Sequence, residues 1–149
     1  VAYIGTQDLI DELGEGTLVQ LTDDGTGEEP TINEARVLKA IESAQGIFDS
    51  YARSRYSLPV PVTTMVKSLN LDLAIFHLYK SRTSIAKGVY DVRRAAYEDA
   101  MKLLKAISAG QAGLDVPAAE ETKTNPATPD RVLTNAGNAK FTDDKLKGF

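Results

Sequence analysis

The sequence predicts an all-α fold: a small helical bundle around one central apolar helix, followed by a long extended C-terminal arm. Three observations predict it. Apolar residues between positions 37 and 107 recur at three- and four-residue spacing, the period of helices buried on one face. The stretch from 64 to 79 is apolar on two sides, which suits a helix with neighbours all round it. After Gly110 large apolar residues become sparse and Pro117, Pro126 and Pro129 enter, a composition that builds no core of its own. The expected organisation is a helical domain over 1–110, an extended linker over 111–139 and a terminal docking peptide over 140–149.

The elements follow in order. Thr6 is expected to cap a helix of one or two turns over residues 7–13, and Gly14 to stop it. Residues 17–22 are short and apolar, and their period alone does not assign a type. Asp23-Asp24-Gly25-Thr26-Gly27 is a loop. Thr31 and Glu34 have the spacing of a capping box. Val37, Leu38, Ile41, Ala44, Phe48, Tyr51 and Ala52 then mark one face of a helix ending near Arg55. Leu58-Pro59-Val60-Pro61 breaks it, because proline lacks an N–H and disfavours helix in the residue before it.

Thr63 or Thr64 caps the central helix. There Val66, Leu69, Leu73 and Phe76 form one stripe, and Leu71, Ile75 and Leu78 a second. Residues 81–88 connect to a last helix, with Val89, Val92, Ala96, Ala100, Leu103 and Ile107 on its inner face and Gly110 at its end.

Composition narrows the function classes. A chain of 149 residues, 42% hydrophobic, has room for one domain with appendages. It contains no cysteine, which removes disulfides, thiolate metal sites and cysteine nucleophiles and fits a reducing compartment. No apolar run approaches the roughly 18 residues of a membrane span. The opening Val-Ala-Tyr-Ile-Gly lacks the basic start and apolar stretch of a signal peptide, and reads as a chain that has lost its initiator Met.

Sites of chemistry are not expected. Neither a phosphate loop nor a dinucleotide fingerprint is present. His77 is the only histidine and falls in the most apolar helix, so it reads as a core or interface residue. Against the calcium-loop template from Asp23, Gly25 and Gly27 occupy ligand positions and Glu28 stands where glycine is needed, so a solvated turn is expected. Glu98 and Asp99 lie among Arg93, Arg94, Lys102 and Lys105 as pairs on an exposed helix face. Arg53 and Arg55 close a helix, where cations suit its dipole. No catalytic, cofactor-binding or metal-binding residue is assigned, and an enzyme is not expected.

The net charge of −4 conceals a strong asymmetry. Residues 1–35 carry nine acidic side chains and no Lys or Arg, residues 36–110 carry twelve basic and six acidic, and residues 111–149 carry five basic and six acidic. The acidic segment is either a solvated edge or a surface that meets a basic face, in the same chain or on a neighbouring copy. In the second case Asp8, Asp11 and Glu12 supply the contact between subunits.

Several stretches together resemble one family. They are Tyr3-Ile4-Gly5-Thr6-Gln7-Asp8-Leu9; Leu21-Thr22-Asp23 with its acidic, Gly-rich loop; and Phe48-Asp49-Ser50-Tyr51-Ala52-Arg53-Ser54-Arg55-Tyr56-Ser57-Leu58-Pro59. Leu71-Asp72-Leu73-Ala74, Leu78-Tyr79, Tyr97-Glu98-Asp99-Ala100 and the ending Phe141-Thr142-Asp143-Asp144-Lys145-Leu146-Lys147-Gly148-Phe149 follow in order. The family is that of the Mu-like phage head–tail connector, or adaptor, proteins. The resemblance extends over nearly the whole chain apart from residues 111–139. It implies a helical subunit of an oligomeric ring, expected to be twelvefold, seated below the portal at the head–tail junction of the virion and made in the host cytoplasm. The implied partners are the portal protein, neighbouring copies and the next neck or tail protein, with genomic DNA passing through the lumen without sequence-specific contact. The family brings no catalytic residues or cofactors. Within the terminal peptide, Phe141, Leu146 and Phe149 are expected as apolar anchors, with Lys145 and Lys147 at the rim, docking on the portal or on an adjacent subunit. The alternatives are another neck or tail-completion protein, or a small helical DNA-binding regulator using the basic central segment.

The central helix yields a first prediction. Leu73→Asp places an unpaired charge in the core and is expected to unfold or aggregate the protein. A variant that melts like the parent would show that this helix is peripheral.

Overall fold

The computed structural model describes residues 2–117. These residues are all-α, with five helices: α1 (Thr6–Leu13), α2 (Glu15–Thr22), α3 (Glu34–Ala52), α4 (Thr64–Lys80) and α5 (Lys87–Ser108). The expected all-α fold is the one observed.

The helix starts differ from the sequence expectation in instructive ways. Gly5, not Thr6, is the N-cap of α1: its N–H donates to the Asp8 carboxylate at 2.8 Å. Thr6 is already helical, and its hydroxyl donates to Glu34 of α3 at 3.0 Å. Gly14, at φ +83°, separates α1 from α2 in a conformation that side chains rarely adopt. The ambiguous residues 17–22 are helical, burying Leu18 and Leu21, and the buried Thr22 hydroxyl bonds back to the Leu18 carbonyl at 2.8 Å. Asn33, not Thr31, caps α3, its side-chain oxygen accepting from the Arg36 N–H at 3.2 Å. Asn33 directly precedes the first helical residue, so its side-chain oxygen reaches a free N–H of the first turn, whereas Thr31 lies two residues further out. Thr63 caps α4 in the same way, at 3.3 Å from the Val66 N–H.

α4 is buried as expected, with Val66, Leu69, Leu73, Ile75, Phe76 and Leu78 in the core. It does not hold the centre alone: α3 and α4 pack most extensively against each other, and each touches all the other helices. Leu38, expected on the buried face of α3, is 52% exposed.

The inner face of α5 differs in part from expectation: Ala100 and Ile107 are buried as expected. Val89 and Val92 are 47% and 67% exposed, while Leu104, absent from the expected stripe, is fully buried. The residues that meet the bundle are Tyr90, Arg93, Tyr97, Ala100, Leu104 and Ile107, a regular three-four repeat that keeps Ala100 and Ile107 and moves one position along elsewhere. Phe76 decides this register. Its ring stacks on Tyr97 at 4.3 Å and lies 5.9 Å from Tyr90, and Arg93 sits over the Tyr79 ring at 5.7 Å. Tyrosines and an arginine stem cover more apolar surface than the valines would.

Gly110, at φ +78°, ends α5 in a Schellman turn, with the Gln111 N–H donating to Ala106 at 2.8 Å and the Gly110 N–H to Ile107 at 3.1 Å. The chain stays on the bundle after Gly110. Leu114 is buried, its N–H donates to the Tyr56 hydroxyl at 2.8 Å, and Thr63 donates to Asp115.

Tyr3 performs the matching task at the other terminus. Its hydroxyl donates to Asp49 at 2.6 Å and accepts from the Val60 N–H at 3.2 Å, with its ring edge-on to Phe48 at 5.0 Å.

Two predictions follow from these tyrosines. Tyr56→Phe orphans the buried Leu114 N–H and should cost about 1–3 kcal/mol in chemical denaturation; an unchanged midpoint would show that residues 111–117 are not held there. Tyr3 is pushed up to about 12, first by burial and then by its bond to Asp49. A folded-state value above the ordinary 10.0 means that its stabilisation is complete below pH 10.0 and is lost as pH rises towards about 12. Stability should therefore fall across that alkaline window, and Tyr3→Phe should flatten the slope; an equal slope in both proteins contradicts the assignment.

Candidate interaction surfaces

The three acidic residues singled out on α1 have different surroundings. Asp8 is part-buried and bonded within the chain, to the Gly5 N–H and to Lys67 of α4 at 2.9 Å. Its carboxyl is held below the ordinary aspartate value, first by the Gly5 N–H and then by Lys67. Asp8 therefore joins α1 to α4. Asp11 and Glu12 are exposed, and Asp11 accepts only from Gln7 on its own helix, at 2.8 Å, among the described residues. Glu12 sits near Asp72 of α4, whose carboxyl is pushed up by burial first and by the Glu12 charge second, with Arg93 opposing. The edge of α1 thus places like charges close together.

The loop after α2 is an organised turn. Asp24 accepts from the Thr26 hydroxyl at 2.7 Å and from the Asn33 side chain at 3.0 Å. Among the described residues no group of three carboxylate or histidine side chains could hold a metal ion. Arg82 reaches the end of α2, where it donates to the carbonyls of Leu21, at 2.8 Å, and Asp23. This cation meets the negative end of the helix dipole rather than a carboxylate.

A groove of about 420 Å³ runs between α3 and α4. Arg36, Lys39 and Ser43 line it from α3, and His77 and Ser81 from α4. Spacings of three and four residues bring each set to one helix face. Among the described residues, neither Arg36 nor Lys39 forms an ion pair. Ser43 and Ser81 donate to carbonyls of their own helices, at 2.8 and 2.7 Å. His77 is half-buried, its Nε2 is sealed from water without a partner, and its ring lies edge-on to Tyr97 at 6.4 Å. Burial first, and the Lys80 charge second, lower its pKa and favour the neutral ring. His77 therefore borders both the core and a surface groove.

A second groove separates α4 from α5, with Met65, Leu69 and Leu103 on its floor and Asp72, Asp99 and Asp115 at its rim. The surface thus divides into an acidic α1 edge, a basic α3–α4 groove and a carboxylate-rimmed α4–α5 groove.

The family description "Bacteriophage Mu, Gp36" matches residues 3–132. The chain belongs to this family. The match begins at Tyr3, the buried clamp, and passes through all five helices. The protein "Mu-like prophage FluMu protein gp36" of Haemophilus influenzae is 30% identical over 96 residues, which cover 64% of this chain and 64% of that protein. The chain thus spans just under two thirds of the length of the curated relative it matches. Membership makes it a Mu-like phage protein. No helix of the described residues is long and apolar enough to cross a membrane.

Within this chain, several residues of the stretches that carry the resemblance serve as core or fasteners. Phe48 is core, Asp49 holds Tyr3, Tyr56 holds Leu114, and the Leu58-Pro59 peptide is cis. Phe141, Lys145, Leu146, Lys147 and Phe149 lie outside the described residues and beyond the matched span. The basic groove was not singled out from sequence. Its signal, Arg36-x-x-Lys39-x-x-x-Ser43 flanking the apolar face of α3, was present as ordinary helix-surface polarity.

The Asp8 joint gives a pH prediction. A folded-state value below the ordinary 3.8 makes its stabilisation complete above that pH and lost as pH falls through the lower value. The wild type should lose more stability than Asp8→Asn as pH falls below the ordinary 3.8. Equal losses, read by thermal melting, would show that Asp8 does not hold α1 on α4.

Proposed function

We infer that this protein is a structural subunit of the phage neck. In this reading it forms an oligomeric ring that joins the portal of the DNA-filled head to the tail and continues the DNA channel. One observation carries the reading: the family match runs through the whole described bundle, to which Tyr3 and Tyr56 fasten the two ends of the described segment. A bundle fastened in this way is suited to be a building part. Exposed Val89 and Val92, the charged edge and the two grooves then supply surfaces for neighbours. No catalytic role is proposed.

The partners in this reading are the portal, adjacent copies and the next neck or tail protein. DNA passes through the lumen without sequence-specific contact. The terminal peptide with Phe141, Leu146 and Phe149 docks on the portal, and Lys145 and Lys147 flank the contact. Many copies in a ring would let modest single contacts add up to a stable junction.

Removing residues 140–149 tests the docking. The truncated chain should melt like the full chain while failing to copurify with portal. Normal copurification would remove the peptide from the interface. In phage lacking the gene, DNA-filled heads should accumulate apart from tails; complete particles would contradict the neck role.

A further inference from the structure

Building on the reading of a ring-forming subunit, we propose that the basic groove between α3 and α4 receives the acidic α1–α2 edge of the next copy. Asp11, Glu12 and Glu15 of one protomer meet Arg36 and Lys39 of its neighbour.

Among the described residues, the charges on both sides form no ion pair. Among the described residues, the ion pair that joins the acidic first 35 residues to a cation is Asp8–Lys67. Asp11, Glu12 and Glu15 stand exposed on the outer side of α1 and the start of α2. The Glu12 charge acts unfavourably on the half-buried Asp72, so a cation brought to this edge relieves a repulsion already present. Across the subunit, Arg36 and Lys39 line a concave surface, and Lys80 adds positive charge near His77.

The two surfaces also lie on different sides of α4. Lys67, Ser68 and Leu71 line the side shared with Glu12, whereas His77 and Ser81 line the basic groove. At 3.6 residues per turn, these two sets are separated by roughly 100° around the helix. One edge and one groove per copy, on different faces, make a head-to-tail contact, and repetition of such a contact closes a ring when the rotation between copies divides a full turn. A two-fold dimer would instead need a patch complementary to itself. Duplex DNA is the competing occupant of a basic groove, because its phosphates would find the same cations.

Charge reversal in the full-length chain tests the pairing. The variants are R36E with K39E, D11K with E12K, and all four substitutions together; the combined chain keeps the wild-type net charge of −4. Circular dichroism checks folding, and native mass measurement at low salt reads assembly. Each paired reversal should weaken assembly by about tenfold or more, and high salt should weaken the wild type. The combined variant should assemble again, as should an equimolar mixture of the two paired variants. Assembly untouched by R36E with K39E overturns the groove assignment while leaving the ring reading standing. Loss of assembly that the combined variant does not restore overturns the acidic edge as occupant. If R36E with K39E abolishes salt-sensitive duplex binding but leaves assembly intact, the groove faces DNA and the proposal fails. A wild-type chain that stays monomeric with and without portal removes both the ring reading and this inference.

Discussion

Burial of α4 against α3 is the constraint on which the other contacts depend. α4 carries apolar side chains around most of its circumference, so it is stable only if covered on several sides. Asn70 is the fully buried polar residue on it, and its side-chain amide donates to the Val66 carbonyl one turn back, at 2.9 Å. The helix therefore enters the core without an unmet hydrogen bond at this position. α3 covers one side, α5 another, and α1 and α2 lie along the remainder. The termini of the described segment are then tied to this pair by two tyrosines, Tyr3 through Asp49 and Val60, and Tyr56 through Leu114.

Much of this architecture was legible in the residues. The two stripes of α4 announce its burial, and Gly14 and Gly110 stop their helices because both adopt positive φ. Helix starts were less legible. Thr6 and Thr31 are good caps by type, but Gly5 with Asp8 and Asn33 stood close enough to compete. The inner face of α5 was hidden in part for a different reason. Periodicity counts Val89 and Val92 as core and Tyr90 and Arg93 as surface, whereas packing depends on which side chains reach Phe76. A one-residue shift moves a side chain by roughly 100° around a helix, so a small error in the stripe moves the contacts at four of its six positions while Ala100 and Ile107 stay buried. The groove at Arg36 and Lys39 was invisible because cations on a helix surface are commonplace until a neighbouring helix makes their surface concave.

The charge asymmetry links fold to function. Folding leaves most of it in place: Lys67 meets Asp8, and Arg82 meets carbonyls rather than carboxylates. Among the described residues, the acidic edge and the basic groove therefore remain unpaired with each other. A bundle with opposed charge on separate faces suits the proposed role of a repeated part in the phage neck.

The direct measurement is an electron cryomicroscopy reconstruction of the neck in mature particles of the phage that encodes this chain. The expected result is density for this five-helix bundle repeated around the channel axis between portal and tail, with α1 of each copy facing the α3–α4 groove of the next. A fully interpreted neck built without this chain would contradict the neck role.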